Sequence, residues 1–257
     1  MGEPQIARMI FFRGVKMKGK AIEVFSSIQG EGKYVGTRQI FVRLAGCNLK
    51  CRYCDTDFNS AQKCKVEKSA GSGEFVDYSF EVDSAELVNI IEGFGKKVRH
   101  QAVSFTGGEP LMQWEFIKEV AKNINEKIFL ETNGTLVEEL SKIIEYVDII
   151  SMDFKLESAV GKNLFDLHRK FLKVVKKKDV YAKIVVASDT KFDEIEEAAK
   201  IIADADQNIM LVLQPVTPCG GVEAASVEKI FRVEEIALKY LNEVRVIPQT
   251  HKMLKIL

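Results

Sequence analysis

Three cysteines within eight residues form the part of this 257-residue sequence with the clearest capacity for chemistry. They are Cys47, Cys51 and Cys54, in the segment Cys-Asn-Leu-Lys-Cys-Arg-Tyr-Cys. Three thiolates in one short loop can bind three irons of a cuboidal [4Fe–4S] cluster and leave the fourth iron without a protein ligand. Clusters that only transfer electrons are normally held by four protein ligands. A three-cysteine site therefore predicts that the fourth iron binds another molecule.

Two alternative roles for these cysteines remain open. One is a structural zinc site whose fourth ligand is Cys64 or a histidine, and the second is a group of buried core cysteines. Zinc ligands usually occur as two closely spaced pairs, whereas the three histidines of this sequence are widely separated. The polar residues Asn48, Lys50 and Arg52 between the cysteines are unusual in a core segment. The spacing therefore favours the iron–sulfur cluster.

The composition is typical of a soluble enzyme. Hydrophobic residues make up 46% of the chain, sufficient for a sizeable core, and 257 residues suggest one or two domains. Lys and Arg together number 37, as do Asp and Glu, so no net charge attracts the protein to nucleic acid or to an anionic membrane. No apolar run reaches membrane-spanning length, and residues 9–12 are too short for a signal peptide. Five cysteines, three of them clustered, predict a reducing, cytoplasmic environment.

Short apolar runs alternate with amphipathic segments along the chain. Strands are predicted at residues 39–44, 102–105, 128–131, 147–152, 180–187, 209–213 and 243–246. Helices are predicted at residues 84–94, 114–125, 136–146, 165–177, 193–203 and 227–241, the first of them capped by Asp83 with Glu86 as its N3 partner. This alternation predicts an α/β fold with a parallel sheet, curled into a partial (incomplete) βα barrel that forms one domain over residues 1–257. Residues 1–20 are predicted to be an N-terminal extension with an extra strand, and residues 58–80 an irregular insertion.

Four segments capable of binding a ligand directly follow predicted strands. They are the cysteine loop after Leu44, Thr106–Pro110, Glu131–Gly134 and Gln214–Pro215. In a βα barrel, the loops after the carboxyl ends of the strands carry the active site. The four segments are therefore predicted to lie on one face and to form one site.

Two of these segments could each bind a ligand, and each also has an ordinary structural alternative. In Thr106-Gly-Gly-Glu-Pro, the glycines would let the backbone approach a ligand closely, and Glu109 could receive an ammonium group. The alternative is a glycine turn ended by a proline. In Glu131-Thr-Asn-Gly, polar side chains could bind ribose hydroxyls, or the segment could simply cap a helix.

The cysteine spacing, with an aromatic residue (Tyr53) before the third cysteine, resembles the cysteine motif of radical S-adenosylmethionine enzymes. A narrower resemblance, to the 7-carboxy-7-deazaguanine synthase family, rests on the segments Ser27–Gly32, Phe41–Leu49, Cys54–Thr56 and Gln249–Lys252. It runs in order from about residue 21 to the C-terminus. The resemblance implies conversion of 6-carboxy-5,6,7,8-tetrahydropterin to 7-carboxy-7-deazaguanine with loss of ammonia. That reaction belongs to the biosynthesis of queuosine-type and archaeosine-type modified tRNA bases.

The resemblance also implies cofactors and binding residues. It implies a [4Fe–4S] cluster on the three cysteines, S-adenosylmethionine at the fourth iron, and Mg²⁺ on Thr56. The residues implied for S-adenosylmethionine are Tyr53, Asp55, Gly108, Glu109, Glu131, Asn133, Ser151 and Gln214. Those implied for the pterin substrate are Ile28, Gln29, Gly30, Glu31, Arg43, Thr106, His251 and Leu257. The cofactor radical, and no protein side chain, is the implied catalyst.

Three of these implied roles have structural alternatives. Arg43 would bind the substrate carboxylate with its planar guanidinium, unless it forms a surface ion pair. The main-chain carboxylate of Leu257 would accept hydrogen bonds from the pterin, unless the apolar tail simply packs on the barrel. Thr56 would bind Mg²⁺, unless it and Asp55 only cap the turn that leaves the cysteine loop.

The sequence departs from the family in one place and leaves further questions open. Where many members have Ser-Pro-Lys, this chain has Ser151-Met-Asp-Phe-Lys155, so the role after Ser151 could fall to Asp153 or Lys155. Cys64 and Cys219 are predicted to be free thiols, with a second metal site as the alternative for Cys64. The resemblance implies a flavodoxin- or ferredoxin-like electron donor and a homodimer. The rival functions are a radical activating enzyme that acts on a partner protein, and a non-catalytic iron–sulfur or zinc protein.

Overall fold

The structure, a computed structural model, describes residues 16–54, 61–175 and 177–256. The strands are β1 (Lys18–Ile28), β2 (Arg38–Leu44), β3 (Lys63–Glu67), β4 (Phe75–Ser79), β5 (Glu81–Asp83), β6 (Val103–Gly107), β7 (Ile128–Thr132), β8 (Ile149–Asp153), β9 (Asp179–Val186), β10 (Leu211–Pro215) and β11 (Val244–Val246). The helices are α1 (Ser84–Lys97), α2 (Trp114–Ala121), α3 (Val137–Ile143), α4 (Glu157–Val160), α5 (Phe165–Val175), α6 (Phe192–Ala205), α7 (Val227–Ala237) and α8 (Thr250–Leu254).

The described strands form one sheet in the order β11-β10-β9-β8-β7-β6-β2-β1-β3-β4, with β5 also paired to β1. The run from β11 to β2 is parallel throughout, as predicted. The order ends at β11 on one side and at β4 on the other, so the described sheet is open. This is the partial βα barrel that the alternation of elements predicts.

The alternation of side chains along each strand separates a core from a site. In β7, Ile128 and Leu130 pack against the helices, whereas Phe129 lies on the opposite, inner face with Ile149 and Tyr181. The inner face is therefore apolar near the amino ends of these strands. Two residues further along, the same face becomes polar, with Glu131, Ser151 and Lys183. A period-two pattern thus places polar side chains together at the carboxyl ends.

Helix boundaries follow local capping chemistry. The Asp83 carboxylate accepts a hydrogen bond from Ala85 N (2.8 Å), which confirms it as the N-cap of α1. Helix α2 ends four residues before the predicted limit of residue 125. Just beyond its end, Asn123 Nδ2 donates to Glu119 O (2.8 Å). A side chain that bonds the backbone in this way competes with continuation of the helix.

The parallel run is extended beyond β2 by strand β1, which the sequence pattern did not predict. This strand runs antiparallel to β2 and lies between β2 and β3. Residues 18–20 belong to it, so they are part of the sheet and not of an extension, while residues 1–15 lie outside the described residues. The mixed polar and apolar sequence of β1 hid the strand, because it is only partly buried.

The predicted irregular insertion at residues 58–80 is also wrong over its described part. Strands β3 and β4 form an antiparallel hairpin in which Cys64 and Val66 face the core. The buried Glu67 carboxylate closes the turn by accepting hydrogen bonds from Gly71 N (3.1 Å) and Gly73 N (2.8 Å). The glycines that favoured irregular structure are turn residues with positive φ.

A search of the described residues for membrane-crossing helices finds none with the required length and apolarity.

Candidate active site

A cavity of about 850 Å³ lies at the carboxyl ends of the parallel strands. The structure brings most of the predicted site residues to its wall: Ile28, Gln29, Gly30, Glu31, Arg43, Cys47, Cys51, Tyr53, Cys54, Thr106, Gly108, Glu131, Asn133, Ser151, Gln214 and His251. Asp55, Thr56 and Leu257 lie outside the described residues. The prediction that four strand-end segments meet on one face is thus confirmed as geometry. The individual roles of these residues stay predictions.

The cysteine loop, residues 47–54, lines part of this cavity together with Gly107, Gly108 and Asn133. We call the loop and these three residues the cysteine wall. A Cβ on Gly107 would lie 2.1 Å from Leu44 O, and one on Gly108 only 1.9 Å from Gly46 O. Glu109 N donates to Gly46 O (2.8 Å). The two glycines therefore allow close contact with the backbone that carries the cysteines, in addition to any contact with a ligand.

Side-chain hydrogen bonds attach the same loop to the segment after β7. Asn133 Nδ2 donates to Asn48 Oδ1 (2.8 Å), and Asn48 Nδ2 donates to Thr135 Oγ1 (2.9 Å). Asn133 Oδ1 accepts a hydrogen bond from Thr135 N (3.1 Å), so this side chain caps the turn, as the structural alternative for this segment predicted. Asn133 also lines the cavity, so capping and ligand contact are compatible.

Glu109 is fully buried and does not line the cavity. Its carboxylate accepts hydrogen bonds from Leu111 N (3.1 Å), Thr132 Oγ1 (2.8 Å) and Asn133 N (2.7 Å). Burial raises the pKa of this carboxyl to about 7, although these hydrogen bonds oppose the shift. These three donors hold the carboxyl behind the cavity wall.

The donor set of the cysteine wall fits an iron–sulfur cluster. All three thiols line the cavity and none is in a disulfide. Burial raises the pKa of the Cys51 thiol to about 11 and also raises that of Cys47, so binding of iron would release their protons. Within residues 16–54, 61–175 and 177–256, no three His, Cys, Asp or Glu side chains converge on a single metal ion. A cluster does not require such convergence, because each thiolate binds a separate iron.

The two remaining cysteines differ in position. Cys64 is fully buried in the core, and burial raises its pKa to about 12. Cys219 lines the cavity, and its Sγ donates to Tyr53 O (3.3 Å) in the cysteine loop. Both are free thiols, as predicted. The sequence did not indicate that Cys219 lies beside the cysteine loop.

Four charged side chains also line the cavity, and we call them the charged wall: Glu31, Asp153, Lys155 and Lys183. It meets the cysteine wall where Lys155 Nζ lies 5.1 Å from the centre of the Tyr53 ring. Lys183 Nζ lies 2.5 Å from Glu31 Oε2 and 3.3 Å from Asp153 Oδ2. Lys155 Nζ lies 2.8 Å from Asp153 Oδ2. The charges thus alternate in sign along the wall. Asp153 and Lys155, the two candidates that the sequence gives for the role after Ser151, both line the cavity.

Burial alone would raise the pKa of Glu31, but Lys183 and a hydrogen bond from Gln249 lower it to about 2. Burial likewise opposes ionisation of Asp153, yet Lys155 and Lys183 lower its pKa. These carboxylates hold the pKa of Lys183 well above its ordinary value despite its burial. All three groups are therefore ionised at neutral pH.

Gln29 is fully engaged within the protein. Its Nε2 donates to Glu131 Oε1 (2.8 Å) and to Gln39 Oε1 (3.2 Å), and its Oε1 accepts from Glu31 N (3.0 Å). Glu131 Oε2 also accepts from Thr106 Oγ1 (2.5 Å). These bonds fix the orientation of Gln29 and Glu131 on the cavity wall.

Helix α8 closes the cavity against the loop after β1. Thr250 N donates to Gly30 O (2.9 Å), and the side chain of Gln249 bridges Glu31 and Thr217. A Cβ on Gly30 would lie 2.3 Å from His251 Nδ1, so only glycine permits this close approach of the imidazole.

Arg43 also lines the cavity, but it has a protein partner. Its Nε donates to Glu23 Oε1 (2.6 Å), and its guanidinium lies over the Phe25 ring at 5.9 Å. Arg43 therefore does form an ion pair, as the alternative to substrate binding predicted. The pair is not on the surface, however, because both side chains are largely buried and line the cavity.

Sequence reasoning missed Glu23, Lys183 and Thr217 as wall residues. Lys183 had a detectable signal, because a single lysine within the apolar strand Tyr181–Val186 is costly to bury without partners. Glu23 had none, since its position depends on the unpredicted strand β1.

Comparison with known proteins identifies the class. Residues 42–225 match the Radical SAM superfamily, so this chain is a radical SAM protein, a class defined by a [4Fe–4S] cluster and S-adenosylmethionine. It is 40% identical over 238 residues to the 7-carboxy-7-deazaguanine synthase of Geobacter sulfurreducens, covering 90% of this chain and 95% of that protein. It is also 40% identical over 248 residues to the protein of that name from Methanocaldococcus jannaschii, covering 91% and 99%. The chain belongs to the 7-carboxy-7-deazaguanine synthase family.

A solved structure supports the fold. The crystal structure of QueE from Escherichia coli superposes with a TM-score of 0.58 and 19% sequence identity, covering 95% of this chain and 99% of that one.

Proposed function

We propose that this protein converts 6-carboxy-5,6,7,8-tetrahydropterin to 7-carboxy-7-deazaguanine with release of ammonia. The observation that carries the proposal is one cavity, in a chain of this family, that joins a three-cysteine loop to a wall of ionised side chains. A radical cofactor and a polar, charged heterocycle can thus be held side by side. The reaction would supply a precursor of 7-deazapurine bases in tRNA.

The protein's part in the reaction is to bind and orient two ligands and to exclude water. When bound, the cluster and S-adenosylmethionine supply a carbon-centred radical that removes a hydrogen atom from the substrate. We assign S-adenosylmethionine to Tyr53, Gly108, Glu131, Asn133, Ser151 and Gln214, with Asp55 and Glu109 as further contacts.

Gln214 supports this assignment. No hydrogen bond from a described residue reaches its buried Oε1, although the residue lines the cavity. A buried acceptor without a partner is unfavourable, so a donor group on the bound ligand would stabilise the complex.

Other residues of the cavity wall suit the pterin. Arg43 would bind the substrate carboxylate, while the ionised Glu31 would accept hydrogen bonds from the aminopyrimidine N–H groups. Ile28, Gln29, Gly30, Thr106 and His251 line the same cavity, and we assign them and the Leu257 main-chain carboxylate to the same ligand.

We further propose that Thr56 binds Mg²⁺ together with the substrate, because hard oxygen ligands suit this ion. A flavodoxin- or ferredoxin-like protein would supply the electron. A homodimer and a reducing, cytoplasmic location complete the proposal; the five free cysteines support the latter.

The test uses the full chain, reconstituted anaerobically with iron and sulfide. It is incubated with S-adenosylmethionine, a reductant and 6-carboxytetrahydropterin, with and without Mg²⁺. We expect 5′-deoxyadenosine and 7-carboxy-7-deazaguanine, formed more slowly without Mg²⁺. Cleavage of S-adenosylmethionine without this product would instead favour an activating enzyme, and no cleavage would favour a non-catalytic iron–sulfur protein.

A matched pair of variants checks the cluster ligands. Cys51→Ala should abolish cleavage, since that thiol lines the cavity, whereas Cys64→Ala should keep its iron, since that thiol lies in the core. Iron loss in Cys64→Ala would contradict the ligand assignment.

A further inference from the structure

Glu23 and Arg43 form a cross-strand pair on the cavity side of the sheet. Strands β1 and β2 are antiparallel, and these two residues are direct partners in their register. Arg43 Nε donates to Glu23 Oε1 at 2.6 Å, and both residues line the cavity. The Arg43 side chain is only 25% exposed and the Glu23 side chain only 17%. At such low exposure an ion pair is screened far less by water than a surface pair.

A β-bulge turns Glu23 toward the cavity. The register of β1 against β2 shifts between Ala21 and Glu23, which leaves Ile22 as the extra residue. Ile22 and Glu23 consequently both line the cavity, although consecutive strand residues normally face opposite sides. Bulges commonly re-aim a side chain in this way next to a site.

The contacts of Arg43 constrain its guanidinium from two directions. Glu23 holds the Nε–H, and the Phe25 ring lies under the guanidinium at 5.9 Å. Phe25 is itself stacked on Phe41, with ring centroids 5.2 Å apart. Arginine has five N–H donors, and Glu23 is the one described hydrogen-bond partner of this side chain. The two terminal nitrogens therefore remain available for a planar carboxylate.

We propose that Glu23 is a positioning residue, which orders the Arg43 guanidinium so that its terminal nitrogens bind the carboxylate of the substrate. This inference rests on the proposed function, because that function supplies the carboxylated ligand. A guanidinium that is already ordered loses less conformational entropy when the ligand binds. Glu23 thus contributes to affinity without touching the ligand.

The experiment measures ligand dissociation constants of the reconstituted full-length protein under anaerobic conditions. The ligands are 6-carboxytetrahydropterin and tetrahydropterin without the carboxylate. Glu23→Ala should bind the carboxylated ligand about three- to tenfold more weakly, the range expected for ordering one long side chain. Glu23→Gln keeps an acceptor for Nε–H and should lose less. Neither change should alter binding of the ligand that lacks the carboxylate.

Two controls separate positioning from general damage. Asp77→Asn removes another ion pair of the sheet (Lys63 Nζ to Asp77 Oδ2, 2.8 Å) that does not line the cavity, and it should bind both ligands as the parent does. In a double-mutant cycle, Glu23→Ala should cost little in an Arg43→Met background, because Glu23 acts through Arg43.

Equal weakening of both ligands in Glu23→Ala would show a structural role and overturn the inference. Tighter carboxylate binding in Glu23→Gln would also overturn it, since Glu23 would then compete for Arg43. If the parent fails to bind the carboxylated ligand, the proposed function fails as well. If the parent binds it and the Glu23 variants match the parent, only the positioning role fails.

Discussion

The cysteine wall and the charged wall face the same cavity but are held in different ways. The cysteine wall depends on backbone contact, as Gly108 shows by its approach to Gly46 O. The bond between Asn48 and Asn133 within it joins neutral groups, and its one ion pair among the described residues, Arg52 with Asp189, is half exposed. The charged wall depends on opposite charges, with Lys183 between Glu31 and Asp153. The first wall is therefore sensitive to the size of a side chain, and the second to its charge.

The largest effect is expected from adding volume to the cysteine wall. In Gly108→Ala, the new Cβ would lie 1.9 Å from Gly46 O, so the cysteine loop must move. We expect little iron after reconstitution, no measurable turnover, and destabilisation by about 3 kcal/mol, as for severe overpacking. Iron content and unfolding by denaturant measure these effects. Gly93→Ala is the control, because a Cβ there, within α1, meets no other atom within 4 Å. Full iron loading of Gly108→Ala would contradict the claim that the cysteine wall is sensitive to side-chain size.

Removing charge from the other wall should reduce turnover without loss of iron. Lys183→Met leaves Glu31 and Asp153 without the cation between them, and breaking a buried pair typically costs about 3 kcal/mol or more. We expect turnover of the pterin to fall about 100-fold as the charged wall rearranges. Cluster content, measured by iron analysis, should remain at the parent level. The surface ion pair of Lys200 with Glu196 provides the control variant Lys200→Met. If Lys183→Met lost its iron, the two walls would not be independent.

The smallest expected effect is a difference between the two walls in the pH range over which each loses its contribution to stability. His168 lies behind the cysteine wall, where its Nε2 contacts Asn133 O (3.1 Å), and burial lowers its pKa to about 4. The folded state thus favours the neutral ring. Its contribution to stability is complete above the unfolded pKa of about 6.5 and is lost as pH falls from there toward 4. Glu31, with its pKa lowered to about 2, loses its contribution only between about pH 4.5 and 2.

Between pH 7 and pH 5, protonation of His168 should lower the free energy of unfolding by about 2 kcal/mol, whereas Glu109, whose pKa burial raises to about 7, shifts it in the opposite direction. His168→Gln keeps only the second effect, because an amide does not titrate in this range. The change in its free energy of unfolding from pH 7 to pH 5 should therefore be more favourable than that of the parent by about 2 kcal/mol. Urea unfolding of the parent and variant at the two pH values is the measurement. The same pH dependence in both proteins would place the titration elsewhere.

The sequence predicted the parts of the molecule that local patterns determine. Apolar runs separated by amphipathic helices defined the strands from β6 to β11, and their carboxyl ends defined the site. It could not predict β1 or the β3–β4 hairpin, whose half-buried residues carry a weaker hydrophobic pattern. The same limit applied to contacts between distant residues. The sequence placed Arg43 at the predicted site, and it lines the cavity, whereas its partner Glu23 could be found only from the strand register.

Some residues that were predicted to contact a ligand also have structural roles. Gln29 and Asn133 were selected as ligand contacts, and both lie on the cavity wall. Yet their side chains mainly bond other wall residues. Sequence motifs identify which residues belong to a site more readily than whether each one holds the ligand or its neighbours.

The docking of α8 on the loop after β1 has a consequence for the order of folding. Thr250 and Gly30 are separated by 220 residues, and Gln249 and Glu31 by 218, whereas Asn48 and Asn133 are separated by 85. Closing a longer loop costs more chain entropy, so contacts between distant residues tend to form late in folding. The cysteine side of the cavity can therefore form before the α8 side, and partial unfolding would open the cavity first at α8. A chain in that state would keep the cysteine loop while losing one face of the cavity.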